Sequence, residues 1–215
     1  MFKPVRICLI GATGMVGAEM IEQATERRDI RLVGVARREV KLPAGARMEM
    51  LLADPRNWAD AIAASAAKVL VCVIGASQAQ LEGDEAAFRA VNLDLVVRCA
   101  KAAKAAKMEH MIVLSAAGAH IAHKDFYLHV RGKMEDSLAK IHFRRLDILR
   151  PVEVSEGGGA GVIANLFRKS RGIPVDKLAR AIFALAKESR GGRLIHDQAQ
   201  LLKLARQPGA ERLRA

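Results

Sequence analysis

The sequence lacks any long apolar run. In 215 residues, no stretch approaches the roughly 18 to 20 uncharged apolar residues that a membrane-spanning helix needs. The N-terminal residues also lack the apolar region and the small-residue cleavage site of a secretory signal. We therefore expect a cytoplasmic protein that makes no membrane contact.

Cysteine is scarce, and its spacing excludes the common metal and redox motifs. The three cysteines are Cys8, Cys72 and Cys99, with no CxxC pair. The first two fall in predicted buried strands and the third in a predicted helix, which favours reduced core thiols. His120 and His123 lie close together, but no nearby carboxylate or cysteine completes a plausible set of metal ligands. We expect no bound metal.

Aromatic residues are few, at six Phe, one Trp and one Tyr, although the formal net charge is +12. A strongly basic chain suggests an acidic partner, and nucleic acid is the obvious candidate. The basic residues are spread along the chain, for example at Lys101, Lys104 and Lys107, and few rings are available to stack on bases. A solvated basic face is favoured, so we predict no nucleic-acid partner.

What the chain does have is 51% hydrophobic residues, enough for the core of one α/β domain. Apolar runs alternate with helical patterns, which is typical of a parallel sheet covered on both faces. Strands are predicted at 5–10, 31–35, 47–51, 69–74, 110–114 and 146–149, and helices at 16–28, 57–67, 84–107, 175–188 and 197–206. This order predicts a doubly wound Rossmann sheet in a single domain, 1–215. Glycine-rich residues 157–161 divide the sheet, 1–151, from a small helical portion, 152–215, expected on the substrate side.

The first predicted strand opens directly into a loop with glycine at every third position. The loop reads Gly11, Ala12, Thr13, Gly14, Met15, Val16 and Gly17. Such glycines let the backbone turn sharply and approach a pyrophosphate, and the next helix directs its free amides and positive dipole end at the phosphates. Gly17 is expected to let that helix pack closely on the strand. The loop from Gly11 to Val16 is therefore predicted to bind a dinucleotide, with a purely structural turn as the alternative.

The second predicted strand ends in Ala36, Arg37 and Arg38, where NAD-preferring Rossmann domains place an acidic residue for the ribose hydroxyls. No carboxylate stands there. Guanidinium groups match phosphate oxygens in a bidentate way, so Arg37 and Arg38 are predicted to hold the 2′-phosphate of NADP(H). A pair of solvated loop arginines is the alternative.

Two further strand ends face the same crevice, because ligands of doubly wound sheets bind beyond the carboxyl ends of the strands. Asp54 follows the third strand, where the adenine is expected. Ile74, Gly75 and Ala76 follow the fourth, where small residues let the ribose and pyrophosphate pass. Asp54 fits equally well as the cap of a helix beginning near Asn57, and both interpretations stay open.

Ser115 follows the fifth strand, and Tyr127, the only tyrosine, comes twelve residues later. With the glycine loop, Arg37, Arg38 and Asn92, this pattern resembles the short-chain dehydrogenase/reductase superfamily, in particular its atypical NADPH-binding branch around the Tat-interacting oxidoreductases. The resemblance implies carbonyl reduction with Tyr127 as general acid and Ser115 as the donor that orients the carbonyl. Asn92 matches a position that arranges active-site water in related enzymes, and a buried asparagine bonding to backbone explains it nearly as well.

The pattern departs from the family at Arg131, where the family has lysine. Tyr127 and Arg131 lie one helical turn apart on the same face, so a positive charge still favours loss of the phenolic proton. Arginine does not release a proton at ordinary pH, so any relay through a neutral amine is lost. Lys133 does not replace the missing lysine, because it lies about 120° further around the helix.

We therefore expect an NADPH-dependent oxidoreductase acting on a small carbonyl compound. The alternative is an NADP(H)-binding regulatory or sensor protein with little or no catalysis, which the change to Arg131 and the small C-terminal portion favour. A protein partner belongs to that alternative. The sequence specifies neither the substrate nor the oligomeric state.

Overall fold

The computed structural model describes residues 4–76, 79–156 and 172–207. Nine strands occur in these ranges: β1 (Val5–Ile10), β2 (Ile30–Ala36), β3 (Glu49–Leu52), β4 (Val69–Cys72), β5 (His110–Leu114), β6 (Arg145–Arg150), β7 (Val154–Ser155), β8 (Ile173–Pro174) and β9 (Gly192–Asp197). Seven of them form one parallel sheet in the order β3-β2-β1-β4-β5-β6-β9, and β7 pairs with β8 separately. The chain runs outward in opposite directions from β1 and β4. The crevice of a doubly wound sheet therefore lies beyond the carboxyl ends of β1 and β4.

Helices cover both faces of the sheet, since successive residues of each strand point to opposite sides. The helices are α1 (Met15–Thr25), α2 (Trp58–Ala64), α3 (Glu85–Arg89), α4 (Val96–Ala105), α5 (Phe126–Ala139), α6 (Val175–Ala186) and α7 (Gln198–Leu204). Ile7 and Leu9 of β1 pack with α1, α6 and α7, whereas Cys8 and Ile10 pack with α2, α4 and α5. None of these helices is long and apolar enough to cross a membrane.

The predicted Rossmann fold is confirmed, with one strand more than expected in the main sheet and the short pair β7 and β8, which was not predicted, beside it. All six predicted strands are present, although β4 ends at Cys72 rather than at residue 74. The predicted helix 84–107 is divided into α3, a π-helical turn over Ala90–Leu95, and α4. The strand missed in the main sheet, β9, lies at its edge, and five of its six residues are exposed. Because an exposed edge strand needs no continuous apolar run, its sequence carries little signal.

The residues after 172 return to the main body of the domain. Helix α6 packs against α1 and α7, and β9 pairs with β6. The two predicted C-terminal helices are therefore confirmed as elements, but they belong to the helical layer of the sheet rather than to a separate helical portion. The glycine-rich segment 157–161, predicted to divide the chain, lies outside the described residues.

The three cysteines are free and buried, as predicted. Burial raises the pKa of the Cys8 thiol to about 11 and that of Cys72 to about 12, so both stay protonated at neutral pH. They fill core space and carry no reactive thiolate.

Candidate functional site

The glycine loop begins where β1 meets β4. Gly11 has a φ of +102°, and a Cβ at this position would lie 2.9 Å from the backbone nitrogen of Ile74. The protein's own backbone at the end of β4 therefore requires glycine here, whether or not a ligand binds. Gly17 is equally constrained, because a Cβ there would overlap the carbonyl oxygen of Gly11. Its predicted role of letting α1 approach the loop closely is what the structure shows.

Gly14 differs from both of these glycines. Its φ is −82°, and a Cβ would meet only the carbonyl oxygen of Gly11, at an ordinary 3.5 Å. The described protein atoms leave the space beside Gly14 open. A side chain is thus tolerated there by the fold, and the space is available to a ligand.

The N-terminus of α1 is prepared for an anion. Gly14 caps this 11-residue helix without any side-chain hydrogen bond to the first-turn amides, and the first turn has no acidic residue. Thr13, Gly14 and Met15 are exposed. The free amides and the helix dipole together favour a negatively charged group at this point. Ala12 and Val16 are buried, so any ligand contact from them must come from the backbone.

Arg37 and Arg38 extend into solvent beyond the end of β2. Neither makes a hydrogen bond or an ion pair with any residue in the described ranges, so both guanidinium groups are available to an anion. The open question on Asp54 is answered in part. Its Oδ1 accepts from the backbone amide of Arg56 at 2.9 Å and caps a short 3₁₀ helix that begins at Pro55. The hydrogen bonds from Arg56 hold the pKa of Asp54 below its usual range.

The segment after β4 is held in place by Asn92, which lies fully buried in the π-helical turn. The Asn92 side chain accepts from the amide of Ala76 at 3.3 Å and donates to the carbonyl oxygens of Ala76 at 3.2 Å and Phe88 at 3.0 Å. Both of its donor hydrogens are thereby used. Of the two interpretations of Asn92, the structure shows the one in which a buried asparagine bonds to backbone.

Arg131 reaches from α5 to the carboxyl ends of β4 and β5. Its Nη1 donates to the carbonyl oxygen of Leu114 at 3.1 Å, and a Cβ at Gly75 would lie 2.9 Å from its Nη2. No carboxylate in the described residues lies within ion-pair distance of this guanidinium. Burial lowers the pKa of Arg131 to about 10, which still leaves it protonated at neutral pH.

Tyr127 lies one turn before Arg131, in the first turn of α5. Its half-buried ring packs edge-on against Phe88, with centroids 4.7 Å apart, and against Phe126, at 5.5 Å. The phenolic oxygen has no hydrogen-bond partner among the described residues and is not one of their buried unsatisfied atoms. The ring is therefore fixed by packing while the hydroxyl stays available.

The hydroxyl of Ser115 makes a contact that the sequence did not predict. It is buried, and its hydroxyl donates to Oε1 of Glu135. Glu135 is itself buried and forms a bidentate ion pair with Arg150. A serine hydroxyl has one hydrogen, so in this arrangement Ser115 does not donate to a substrate carbonyl. Sequence reasoning missed Glu135, although its position four residues after Arg131 places it on the same face of α5.

The loop between β5 and α5 packs directly on the helix that carries these groups. A Cβ at Gly132 would overlap the backbone of His120, so glycine is needed for this contact. His120 and His123 are exposed, and the Nδ1 of each accepts a backbone amide within the loop, from Ala122 and Asp125. Their predicted place in a surface or substrate-side loop matches this geometry.

Comparison with known proteins assigns the chain to a family. A family model described as NAD(P)H-binding matches residues 11–189. "Protein FMP52, mitochondrial" from Debaryomyces hansenii is 28% identical over 167 residues, which cover 77% of this chain and 70% of that protein. The protein of the same name from Eremothecium gossypii is 28% identical over 94% of this chain and 98% of its own length.

A solved structure shares the fold. The Bordetella bronchiseptica enzyme WbmH, in complex with NAD+, superposes with a TM-score of 0.68 over 89% of this chain and 75% of that chain, at 15% identity. At this identity the likeness supports the Rossmann architecture alone.

The names of the relatives overturn the predicted location. They are called mitochondrial in several fungi, among them Debaryomyces hansenii, Aspergillus fumigatus and Saccharomyces cerevisiae. The prediction of a cytoplasmic protein is therefore wrong. It rested on the absence of a recognisable secretory signal, which carries no information about the compartment.

Proposed function

This chain belongs to the NAD(P)H-binding family, and from that membership we propose that it is an NADPH-dependent oxidoreductase of the short-chain dehydrogenase/reductase type that reduces a small carbonyl substrate. One continuous set of contacts supports the proposal. Gly11 of the dinucleotide loop abuts the backbone of Val73 and Ile74, and Gly75, next along the same segment, lies against Arg131 of the helix that carries Tyr127. The cofactor loop and the Tyr127–Arg131 face of α5 therefore border one crevice.

The residues at this crevice fit a phosphorylated dinucleotide. The open space beside Gly14 and the uncapped N-terminus of α1 suit the pyrophosphate. Arg37 and Arg38, with no partner among the described residues, suit a 2′-phosphate at the end of β2. Leu52, 52% exposed at the end of β3, offers an apolar surface beside the expected adenine position.

The reaction requires a hydride at the carbonyl carbon and a proton at the carbonyl oxygen, and the bound dinucleotide supplies the hydride. Tyr127 is the group that delivers the proton, because its hydroxyl has no hydrogen-bond partner among the described residues and its ring is held by Phe88 and Phe126. Arg131 contributes a fixed positive charge one turn away that stabilises the phenolate left after the transfer. Ser115 acts at a distance, through Glu135, by fixing the helix that carries both groups.

The proposal is tested by Tyr127→Phe, which keeps the ring packing and removes the hydroxyl. NADPH oxidation over a panel of small aldehydes and ketones should fall by roughly 100-fold or more, since general acid catalysis contributes about that much. The affinity for NADPH, measured by fluorescence titration, should stay unchanged. Turnover that survives the substitution at the wild-type rate would rule out this mechanism.

Cofactor choice is tested by the double variant Arg37→Ala, Arg38→Ala. Loss of two charge-assisted contacts should weaken NADPH binding by roughly 10- to 100-fold and change NADH binding by less than about threefold. Arg28→Ala is the matched control. Arg28 is also exposed, but it precedes β2 and so lies at the opposite end of that strand from Arg37 and Arg38. Equal losses for the two nucleotides in the double variant would contradict the 2′-phosphate contact.

A second function is favoured by the bond between Ser115 and Glu135, together with arginine in place of the family's lysine. These two departures are what a dinucleotide-binding sensor or regulator with little catalysis would tolerate, and such a protein would act through a protein partner. Tight NADPH binding without turnover on the carbonyl panel would select this function over the first.

A further inference from the structure

Arg131 carries a positive charge that its surroundings do not balance. Its guanidinium has five N–H donors, and the single acceptor found for it among the described residues is the carbonyl oxygen of Leu114. Nη2 lies beside Gly75, after the end of β4, where an added Cβ would be 2.9 Å from it. A guanidinium that has lost part of its hydration and gained one neutral acceptor is unfavourable unless a further acceptor arrives.

The nearby acidic groups are already occupied. Glu135, one turn further along α5, attracts Arg131 electrostatically. Both of its oxygens, however, bind Arg150, and one also accepts from Ser115. Two arginines and one glutamate therefore leave one positive charge in excess at this point. Asp54 belongs to a different part of the crevice, where it pairs with Arg56.

The proposed dinucleotide does not balance this charge. Its phosphates are expected at the N-terminus of α1 and at Arg37 and Arg38, and a reduced nicotinamide is uncharged. The ribose hydroxyls expected beside Gly75 are neutral acceptors and leave the charge of Arg131 unbalanced. A negatively charged group that balances it must then come from the substrate. A single negative charge matches the single excess positive charge, and a planar carboxylate matches the planar fork of a guanidinium.

We propose that the substrate is an oxo acid, whose carboxylate pairs with Arg131 while its carbonyl oxygen meets the hydroxyl of Tyr127. This inference rests on the function proposed above and names its substrate class. Tyr127 and Arg131 lie one helical turn apart, so a ligand that reaches both needs its carboxylate within a few bonds of its carbonyl. The carbonyl carbon gains a hydride from NADPH, its oxygen gains the proton of Tyr127, and the products are a hydroxy acid and NADP+.

The test compares oxo acids with their methyl esters, which have the same carbonyl and no charge. Pyruvate, benzoylformate and acetoacetate are each assayed against their esters by NADPH oxidation. In the wild type we expect kcat/KM to favour the best acid over its ester by roughly 30-fold or more, as a charge-assisted pair provides. Arg131→Met should abolish this preference mainly through KM of the acids and change NADPH affinity by less than about threefold. Because Arg131 also stabilises the phenolate of Tyr127, kcat should fall for acids and esters alike, and the acids alone should lose the additional factor in KM.

Two further variants separate charge from fold. Arg131→Lys keeps the positive charge and should recover at least about tenfold of the lost preference for acids. Lys133→Met removes an exposed lysine from the same helix and should change nothing. Arg131→Met should also melt no earlier than the wild type, since it removes a partly buried cation that lacks a carboxylate partner.

The outcomes distinguish this proposal from the one it rests on. Esters reduced as well as acids, or equal losses for both in Arg131→Met, would overturn the oxo-acid assignment and leave the carbonyl reductase standing. If no carbonyl compound is reduced, the proposed reductase fails, and calorimetry of benzoylformate against methyl benzoylformate on the NADPH-loaded protein then decides the assignment. If the wild type binds benzoylformate more tightly than its methyl ester and Arg131→Met does not, a carboxylate site at Arg131 is supported. If the wild type binds the acid and the ester equally, that site is rejected.

Discussion

Asp147 on β6 and Arg131 on α5 both carry charge inside the fold. Among the described residues, Asp147 has several hydrogen-bond partners and the guanidinium of Arg131 has one. Asp147 is fully buried and accepts hydrogen bonds from His110 at 2.7 Å, from His196 at 2.7 Å and from two nitrogens of Arg145. Burial alone would raise the pKa of this carboxyl, but these hydrogen bonds outweigh it and hold the pKa far below its usual range.

Arg131 shows the opposite balance. It is half-buried, has one hydrogen bond to a backbone carbonyl, and has no ion-pair partner in the described residues. The two groups also differ in position. Asp147 lies within the sheet, on the face that Ile112 and Leu149 share with α6, whereas Arg131 reaches the carboxyl edge next to Gly75.

The difference separates structural charge from functional charge. A buried group whose hydrogen bonds are all met by the chain contributes to stability and has no capacity left for a ligand. A partly buried group whose bonds are unmet, at the edge where doubly wound sheets bind ligands, has that capacity. Substitutions at the first kind should change stability, and those at the second should change binding.

The largest effect is expected for Asp147→Asn. Removing the carboxylate leaves Arg145 buried without its counter-charge, which should lower the free energy of unfolding by about 3 to 5 kcal/mol. Urea unfolding measures this loss. Asp136→Asn is the control, because Asp136 forms an exposed i,i+4 pair with Lys140, and its loss should change stability by about 0.5 kcal/mol or less.

NADPH affinity of the folded fraction should be the same in both variants, since Asp147 lies away from the crevice. If the folded fraction of Asp147→Asn binds NADPH more weakly than that of Asp136→Asn, the hydrogen bonds around Asp147 also shape the cofactor site. The separation between structural and functional charge would then break down.

The glycine loop allows the same comparison with uncharged residues. In Gly17→Ala the new Cβ overlaps the carbonyl oxygen of Gly11, so α1 must shift, and stability should fall by roughly 1 to 3 kcal/mol. In Gly14→Ala the new Cβ lies 3.5 Å from that oxygen, so stability should change by less than about 0.5 kcal/mol.

The ligand effect of Gly14→Ala is expected to exceed its effect on stability. A methyl group in the space assigned to the pyrophosphate should weaken NADPH binding by roughly tenfold, or about 1.4 kcal/mol. Thermal melting with and without NADPH measures both quantities on one sample. Unchanged affinity would place the pyrophosphate elsewhere.

Features encoded by residues adjacent in sequence were predicted correctly, whereas side-chain contacts between distant residues, such as that of Ser115, were not. The strand-loop-helix from Val5 to Thr25 is encoded by residues adjacent in sequence, so its pattern could be recognised. The partner of Ser115 is twenty residues away, and the hydrogen bond forms because α5 docks on the preceding loop at Gly132. Nothing in the local sequence distinguishes a serine that faces a substrate from one that faces a buried glutamate.

Asn92 and β9 illustrate the same limit. The sequence left Asn92 with two interpretations, and the π-helical turn, which no periodicity predicts, directs its side chain to the backbone of Ala76. In β9, Leu194 and Ile195 are both exposed, because the strand forms the edge of the sheet. Its sequence therefore shows no alternation of buried and exposed residues.

The smallest effect is the pH dependence that Asp147 adds to stability. Because its pKa is depressed in the folded state, its contribution is fully present above the unfolded pKa of about 3.9 and is lost as the pH falls toward the folded value. Between pH 7 and pH 3 the wild type should lose about 1 kcal/mol more than Asp147→Asn. Urea midpoints at several pH values measure this difference. Parallel pH profiles for the two proteins would mean that His110, His196 and Arg145 do not hold the carboxylate in its ionised form. Asp147 could then no longer be described as a charge whose hydrogen bonds are all met by the chain.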